Sequence, residues 1–443
     1  MKLVSVHTHL LLLFMFTLFG QVSVAQESWT LQQCTDTALV YNRTLQMERN
    51  NRSIAEEQYR EAKANLIPKL QAQAEYRYFM ELPHQLMPMS IFGGPEGQFK
   101  EVQFGVPHNI NASANLSLPL YDPQLYGGIA ATNQARQIGQ LQVRRTAEQV
   151  YFQVSELFYN AVILQQHMAF IDSNLVNVKK LVENVQLLHS EKMTTGTDVT
   201  RTQLQMAQLE TDRQKLAAQL KNVLNMLKLN MGIAKDRALT IDHRTDSGPQ
   251  TEAEARTTVD MQLSTVRTQL LKTELSTLKR SRIPSLAAFA SYGTTGFGFD
   301  EEPNDFLDFY PVALAGVKLQ VPLFNGTVTT RKINRKKLEL ENSVLQTELI
   351  AEKTAIEMTN ALESKLSSER STNNYLAQSK LADEVYRQTL LQQQEGLAGL
   401  TEVLLAENEL RKVQQEYLNA LITYLKADLE LKKVSGNITI KEP

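Results

Sequence analysis

Two stretches of strict alternation interrupt a chain whose apolar positions otherwise recur at helical spacing. In "IPKLQAQAEYRY", Leu70, Ala72, Ala74, Tyr76 and Tyr78 are apolar, while Lys69, Gln71, Gln73, Glu75 and Arg77 are polar. In "INASANLSLP", Ile110, Ala112, Ala114, Leu116 and Leu118 alternate with Asn111, Ser113, Asn115 and Ser117. A period of two puts successive side chains on opposite faces of a strand. Proline disfavours helical geometry in the residue before it, so Ile67 and Ile283 each end a helix ahead of Pro68 and Pro284. The pattern predicts strands at about 69–78 and 110–118. Weaker alternation predicts two more at about 285–292 and 313–321.

Everything between reads as long helix. Val403, Ala406, Leu410, Val413, Tyr417, Ala420, Tyr424, Ala427 and Leu431 alternate steps of three and four, the seam of a coiled coil. The same spacing, displaced by about 204 residues, runs from Val199 through Thr202, Met206, Leu209, Arg213, Leu216, Leu220 and Val223 to Leu227. A proline-free run from Pro123 to Lys192 predicts one helix about 100 Å long at about 1.5 Å per residue. Leu31 to Leu66 and Asp198 to Gly232 predict helices near 50 Å, so two stacked end to end match the long one. In the second half, 252–282 and 400–434 stand in the same relation to 329–394.

The two halves therefore read as one unit used twice. Residues 26–241 form the first repeat, 242–255 a polar joint with Gly248 and Pro249, 256–435 the second repeat, and 436–443 a tail. Each half runs helix, strand, loop, strand, long helix, turn, helix. Strands of about 9–11 residues with one apolar and one polar face suit a membrane-spanning β-barrel with a wet interior. The other reading of the strands is a soluble sheet that buries its apolar face on helices, but that face is light, and the helices are occupied with each other. Four strands cannot close a barrel, since small barrels take about eight. An open edge in lipid leaves backbone groups unsatisfied. Several copies must share the barrel, and three give twelve strands around a pore. The connection 79–109, rich in Pro, Gly, Met and Phe, reads as an adaptable loop over the pore mouth, on the outer side.

Composition sharpens this picture only in places. A formal charge of -2 over 443 residues gives no argument for nucleic acid. Residues 1–25 read as a secretory signal: Lys2, an apolar run from Leu10 to Gly20, then Ser23 and Ala25 before the cut. That run of about 10 residues is short of the roughly 20 a transmembrane helix needs. Cys34 is the only cysteine, expected as a small buried side chain on the first helix. His84, His108, His167, His189 and His243 show no metal-ligand or triad spacing, and no phosphate-binding glycine loop or nucleophile setting is present. The expectation is a non-enzyme without cofactor or metal.

Taken together, "WTLQQCTDTALVYNRTLQ" from Trp29, the two Ile-Pro junctions, "LPLYD" and "VPLFNG" after the strands, and "EGLAGLTEVLLAENEL" from Glu395 resemble the TolC family of outer-membrane efflux proteins. The resemblance covers essentially the whole mature chain and rests on order and spacing. It implies a homotrimer: a shared twelve-stranded barrel in the outer membrane of a Gram-negative bacterium, and a twelve-helix tunnel in the periplasm. It also implies passive export in a tripartite efflux or type I secretion system, with a periplasmic adaptor and an inner-membrane pump as partners. The adaptor would dock at the helical tips, at Gly396, Leu397 and Gly399 and, in the first half, at Thr195 and Gly196. Glu402 and Asp198 match gate acids, and three copies of Glu402 with Asp198 nearby would make a cation-favouring ring. Leu405 stands where the family has a second acid, and Ala398 and Gln393 stand where some members have a locking arginine and tyrosine. The competing class is a secreted coiled-coil scaffold or adhesin without a pore.

Overall fold

The computed structural model describes residues 28–242, 257–299 and 308–438. The signal segment, most of the 242–255 joint and the end of the tail lie outside the described residues. The chain forms two compact units. The first holds residues up to Arg49, Gln142–Met261 and the chain from Ile350; the second holds Asn50–Leu141 and Gln262–Leu349. Each unit draws on both sequence halves, because the longest helices carry each half from one unit into the other.

In the first unit, β1 (Ser28–Trp29) pairs in parallel with β6 (Thr240–Ile241). Helix α1 (Leu31–Tyr41) starts at Thr30 with a reciprocal capping box: Thr30 Oγ1 accepts from Gln33 N, and Gln33 Oε1 accepts from Thr30 N. Leu31 to Leu66 was expected as one helix. Asn42 breaks it, with ψ 124, and α2 (Arg43–Ala64) begins beyond. Asn42 serves both helices: its N–H donates to Ala38 O, and its Oδ1 accepts from Leu45 N, while Nδ2 donates to Asn230 O. A short side-chain amide that satisfies two backbone groups, Leu45 N and Asn230 O, outweighs the one turn of helix it interrupts.

Helices α3 (Pro123–Ser190) and α4 (Gly196–Met231) form one helical hairpin, and α6 (Val328–Gln394) and α7 (Leu400–Val434) the other. The largest core cluster of this unit joins Cys34 and Ala38 of α1, Val154 and Phe158 of α3, Leu227 and Met231 of α4, and Leu425 and Leu429 of α7. Cys34 is fully buried, and burial pushes its thiol up to about 12, so it acts as a small hydrophobe.

The second unit carries the sheet. Strands β2 (Lys69–Tyr78), β5 (His108–Tyr121), β7 (Ser285–Gly298) and β8 (Asp308–Gln320) form one antiparallel sheet in that spatial order. Strand β2 spans the residues that alternate; β5 runs further than expected at both ends, and β7 and β8 run further at the end nearest the connection between them. The 79–109 connection is not a plain loop. It contains a hairpin, β3 (His84–Pro88) with β4 (Phe99–Gln103), around a short 3-10 turn at Met89–Phe92. Helix α5 (Val259–Arg280) leads into β7. Gly127 of α3 sits so close to Thr277 of α5 that an added Cβ would lie 2.2 Å from the threonine side chain.

Candidate functional sites: the sheet and the helical tips

The register sorts the sheet into two chemistries. Leu70 lies opposite Leu116, which lies opposite Ala290, which lies opposite Ala315. The rows Ala72–Ala114–Tyr292–Ala313 and Ala288–Val317 continue this apolar face. It is not covered: Leu70 is 70% exposed, Tyr292 67% and Leu319 64%. The other face carries Gln71, Gln73, Asn111, Ser113, Asn115, Ser291 and Thr295. Ser291 Oγ donates to Asn115 Oδ1 at 2.7 Å, and Thr295 Oγ1 donates to Asn111 Oδ1 at 2.8 Å. A hydrogen-bonded polar face opposite an exposed apolar one inverts a soluble protein, where the apolar face is the covered one.

The weaker alternation of the second strand pair has a visible cause. Glycines stand where bulkier residues would complete the pattern, and aromatic rings lie over them: Phe309 covers Gly296 and Phe289 covers Gly316. Val312 and Leu314 also put apolar side chains on the mainly polar face. Both belong to β8, an edge strand. Strand β2 pairs only with β5 and β8 only with β7, so both edges end on one partner among the described residues.

The two helical tips are built alike. The chain leaves α3 through Lys192 at φ 60 and α6 through Gly396 at φ 74. At each, the next residue's N–H reaches back five positions: Met193 to Leu188 O at 2.8 Å and Leu397 to Gln392 O at 2.7 Å. The next helix then starts from N-cap Thr195 or Gly399, and an acid sits at its third position, Asp198 or Glu402. All these pairs are 204 residues apart. The counterpart of Gly396 is therefore Lys192, which opens the first tip as Gly396 opens the second; its left-handed backbone was not legible in the sequence. Gly196 corresponds instead to Leu400, in the first turn of the following helix. The apex residues Met193 and Leu397 are 74% and 80% exposed.

Both acids turn to their own helix ends. Asp198 Oδ2 accepts from Thr195 Oγ1 at 2.7 Å, from Thr194 Oγ1 at 2.8 Å and from Thr195 N at 3.3 Å. The Thr195 hydroxyl, then that of Thr194, then the Thr195 N–H hold its carboxyl below the usual range against the opposing effect of desolvation, with a smaller contribution from Arg201. Glu402 Oε2 accepts from Gly399 N at 2.7 Å. Each carboxylate thus satisfies an orphan donor and the helix dipole while remaining at the tip surface. Leu405 is exposed, Ala398 belongs to the turn itself, and Gln393 lies in the last turn of α6.

No family model and no curated protein matches the sequence. Solved structures do match the fold. The outer-membrane protein VceC of Vibrio cholerae superposes with a TM-score of 0.76 at 16% identity, over 92% of this chain and 96% of that one. CusC, whose structures concern transmembrane channel formation, gives 0.75 at 16% identity, over 94% and 96%. The CmeC outer-membrane channel of Campylobacter jejuni gives 0.73 at 13% identity, over 94% and 90%. The chain has the fold of the outer-membrane channels, long helices and barrel strands in one polypeptide, as the TolC-family resemblance implied. Its structural neighbours are channel proteins rather than enzymes.

Proposed function

We propose that this protein is a TolC-type channel of a Gram-negative outer membrane that conducts substrates passively out of the periplasm. The observation that carries the reading is the four-stranded sheet with an exposed apolar face, a polar face and two open edges. Lipid would take the apolar face, and water the face lined by Asn, Gln, Ser and Thr. The open edges require partners, because unpaired backbone groups in hydrocarbon cost several kcal/mol each. Pairing β2 of one copy with β8 of the next satisfies both edges, and three copies give a twelve-stranded barrel with room for a pore.

The tips complete the proposal. The exposed apices Met193 and Leu397, flanked by Gly396, Gly399, Thr195 and Gly196, would meet a periplasmic adaptor that couples the channel to an inner-membrane pump. Three copies of Glu402, with Asp198, would bring like charges together at the entrance and favour cations. Their capping bonds fix the carboxylates without neutralising them. The test is the native mass of the mature protein extracted from membranes in mild detergent, followed by conductance in planar bilayers. A three-chain, conducting particle is expected. A soluble monomer that needs no detergent and does not conduct overturns the reading.

A further inference from the structure

Close to the start of α7, a carboxylate is buried among helices. Glu407 is 2% exposed and ranks among the largest fully buried side chains. Its Oε2 accepts a hydrogen bond from Nε2 of Gln205 on α4. Its Oε1 lies 3.4 Å from Nε of Arg411, one turn along α7, and accepts no hydrogen bond. Leu181 and Val185 of α3, Tyr386 of α6, and Val403 and Leu410 of α7 pack together at this level, and the Tyr386 hydroxyl is buried without a hydrogen-bond partner. The Glu407–Gln205 bond thus ties the α3–α4 hairpin to the α6–α7 hairpin inside an apolar junction. A groove of about 540 Å³ adjoins it, lined among others by His167 and Asn174 of α3, Asp212 of α4, and Asn408 and Arg411 of α7. Arg411 both pairs with Glu407 and lines this groove, so solvent stands one side chain away.

An ionised carboxylate is a poor occupant of such a place. One amide and one guanidinium offset only part of the cost of removing its charge from water, and one oxygen is left without a donor. The neutral acid costs less and adds a donor. We propose that Glu407 is a proton-operated clasp: protonated, it holds α7 against α4 above the tips, and ionised, it favours their parting and hydration. The effect on conduction rests on the channel reading; the clasp itself does not.

The direction follows from linkage. Burial raises the Glu407 carboxyl above its ordinary range, against the opposing pull of Arg411 and of the Gln205 bond. The packed state therefore holds the proton more tightly than a state in which Glu407 meets water. Between the ordinary and the raised value, acid favours the packed junction and rising pH releases it. The surroundings add few rival titrations. Gln205 from α4 and Leu181 and Val185 from α3 do not titrate, and Arg411 stays charged. Burial, then the Glu407 charge, pushes Tyr386 up to about 12. Asp383, which also acts on Tyr386, is paired with Arg387 at 2.8 Å. In the groove Asp212 lies 3.6 Å from Lys215. His167 is the group to control: burial lowers it and Asp212 raises it.

The test compares the wild-type protein with Glu407→Gln, Gln205→Leu and His167→Gln between pH 5 and 8. Hydrogen exchange of the tip segments, corrected for intrinsic rates, reads the clasp, and bilayer conductance reads its consequence. In the wild type, the packed-to-parted ratio should rise as pH falls, by at most about tenfold per pH unit for one proton. Glu407→Gln should give a flat profile, and His167→Gln the wild-type profile. Gln205→Leu removes a donor that favours the ion, so its midpoint should move to higher pH. A pH profile that survives Glu407→Gln, or vanishes in His167→Gln, overturns the proposal. If Glu407→Gln does not fold, an unmoved midpoint in Gln205→Leu overturns it instead. A wild-type protein that never conducts refutes the channel reading and leaves exchange to decide the clasp.

Discussion

At the scale of single residues, the tips and one helix end turn on backbone conformation. Gly232 ends α4 at φ 72, and an added Cβ would lie 2.1 Å from Tyr41 O. Gly396 has φ 74 with open space around it. Gly396→Ala should therefore lose only the left-handed backbone penalty, about 1 kcal/mol, while Gly232→Ala adds a steric clash and should lose roughly 2–4 kcal/mol. Thermal melting of the two variants would rank them. Lys192 accepts the same conformation without being glycine, so Lys192→Gly should be neutral or stabilising by up to about 1 kcal/mol. Asp198 gives a pH prediction opposite in sign to that of Glu407. Its folded value is lowered by the Thr195 and Thr194 bonds, so its cap is fully present above the ordinary aspartate range and lost as pH falls through the lowered value. Exchange of the first-turn amides of α4 should rise at acid pH in the wild type and show no such acid step in Asp198→Ala. The acid at 402 was singled out by the family resemblance, and that at 198 as its counterpart in the first half. The role of Lys192 was not legible, because a lysine at positive φ carries no composition signal.

At the scale of elements, the α7 seam is largely as the heptads have it: Val403, Leu410, Val413, Ala420, Ala427 and Leu431 are buried. A second buried stripe, Glu407, Leu418, Leu425 and Leu429, runs beside it. The helix therefore packs on two sides, and a single a/d pattern describes only one of them. Leu410→Ala should cost about 2–4 kcal/mol by creating a cavity. Arg213 holds a seam position by spacing but is half exposed, with Nε 2.5 Å from Asp172 Oδ1, so Arg213→Leu should change stability by less than about 1 kcal/mol. The sheet separates its faces more sharply. Ala114→Arg on the apolar face should cost about 2–4 kcal/mol in a membrane and reduce barrel assembly, whereas Ser113→Arg on the polar face should assemble and alter conductance. Heat-modifiable migration in native gels would compare them.

At the scale of the whole molecule, the prediction is charge selectivity. If three tips meet, Glu402→Ala should reduce cation preference in reversal-potential measurements without changing the native mass. An unchanged preference would leave Glu402 as a helix cap alone. The duplicated order of elements could be read from the chain because each half repeats its punctuation: Ile-Pro before the strands, a Pro-Leu pair after them, and a tip 204 residues from its counterpart. The compact units could not be read that way. They follow contacts between distant stretches of antiparallel helix and so ignore the boundary between the halves.

The sequence by itself determined the elements: which residues alternate, where proline stops a helix, and how far each heptad seam runs. These are local preferences, expressed in the residues that obey them. Tertiary structure decided the rest. It set Asn42 as a joint rather than a helical residue, because Asn230 O accepts its amide. It folded the 79–109 connection into a hairpin, matched Phe289 to Gly316 and Phe309 to Gly296, and enclosed Glu407 among apolar side chains. Each of these depends on a partner many positions away, and the physical consequence, a satisfied amide, a covered glycine or a strained charge, exists only once that partner has arrived.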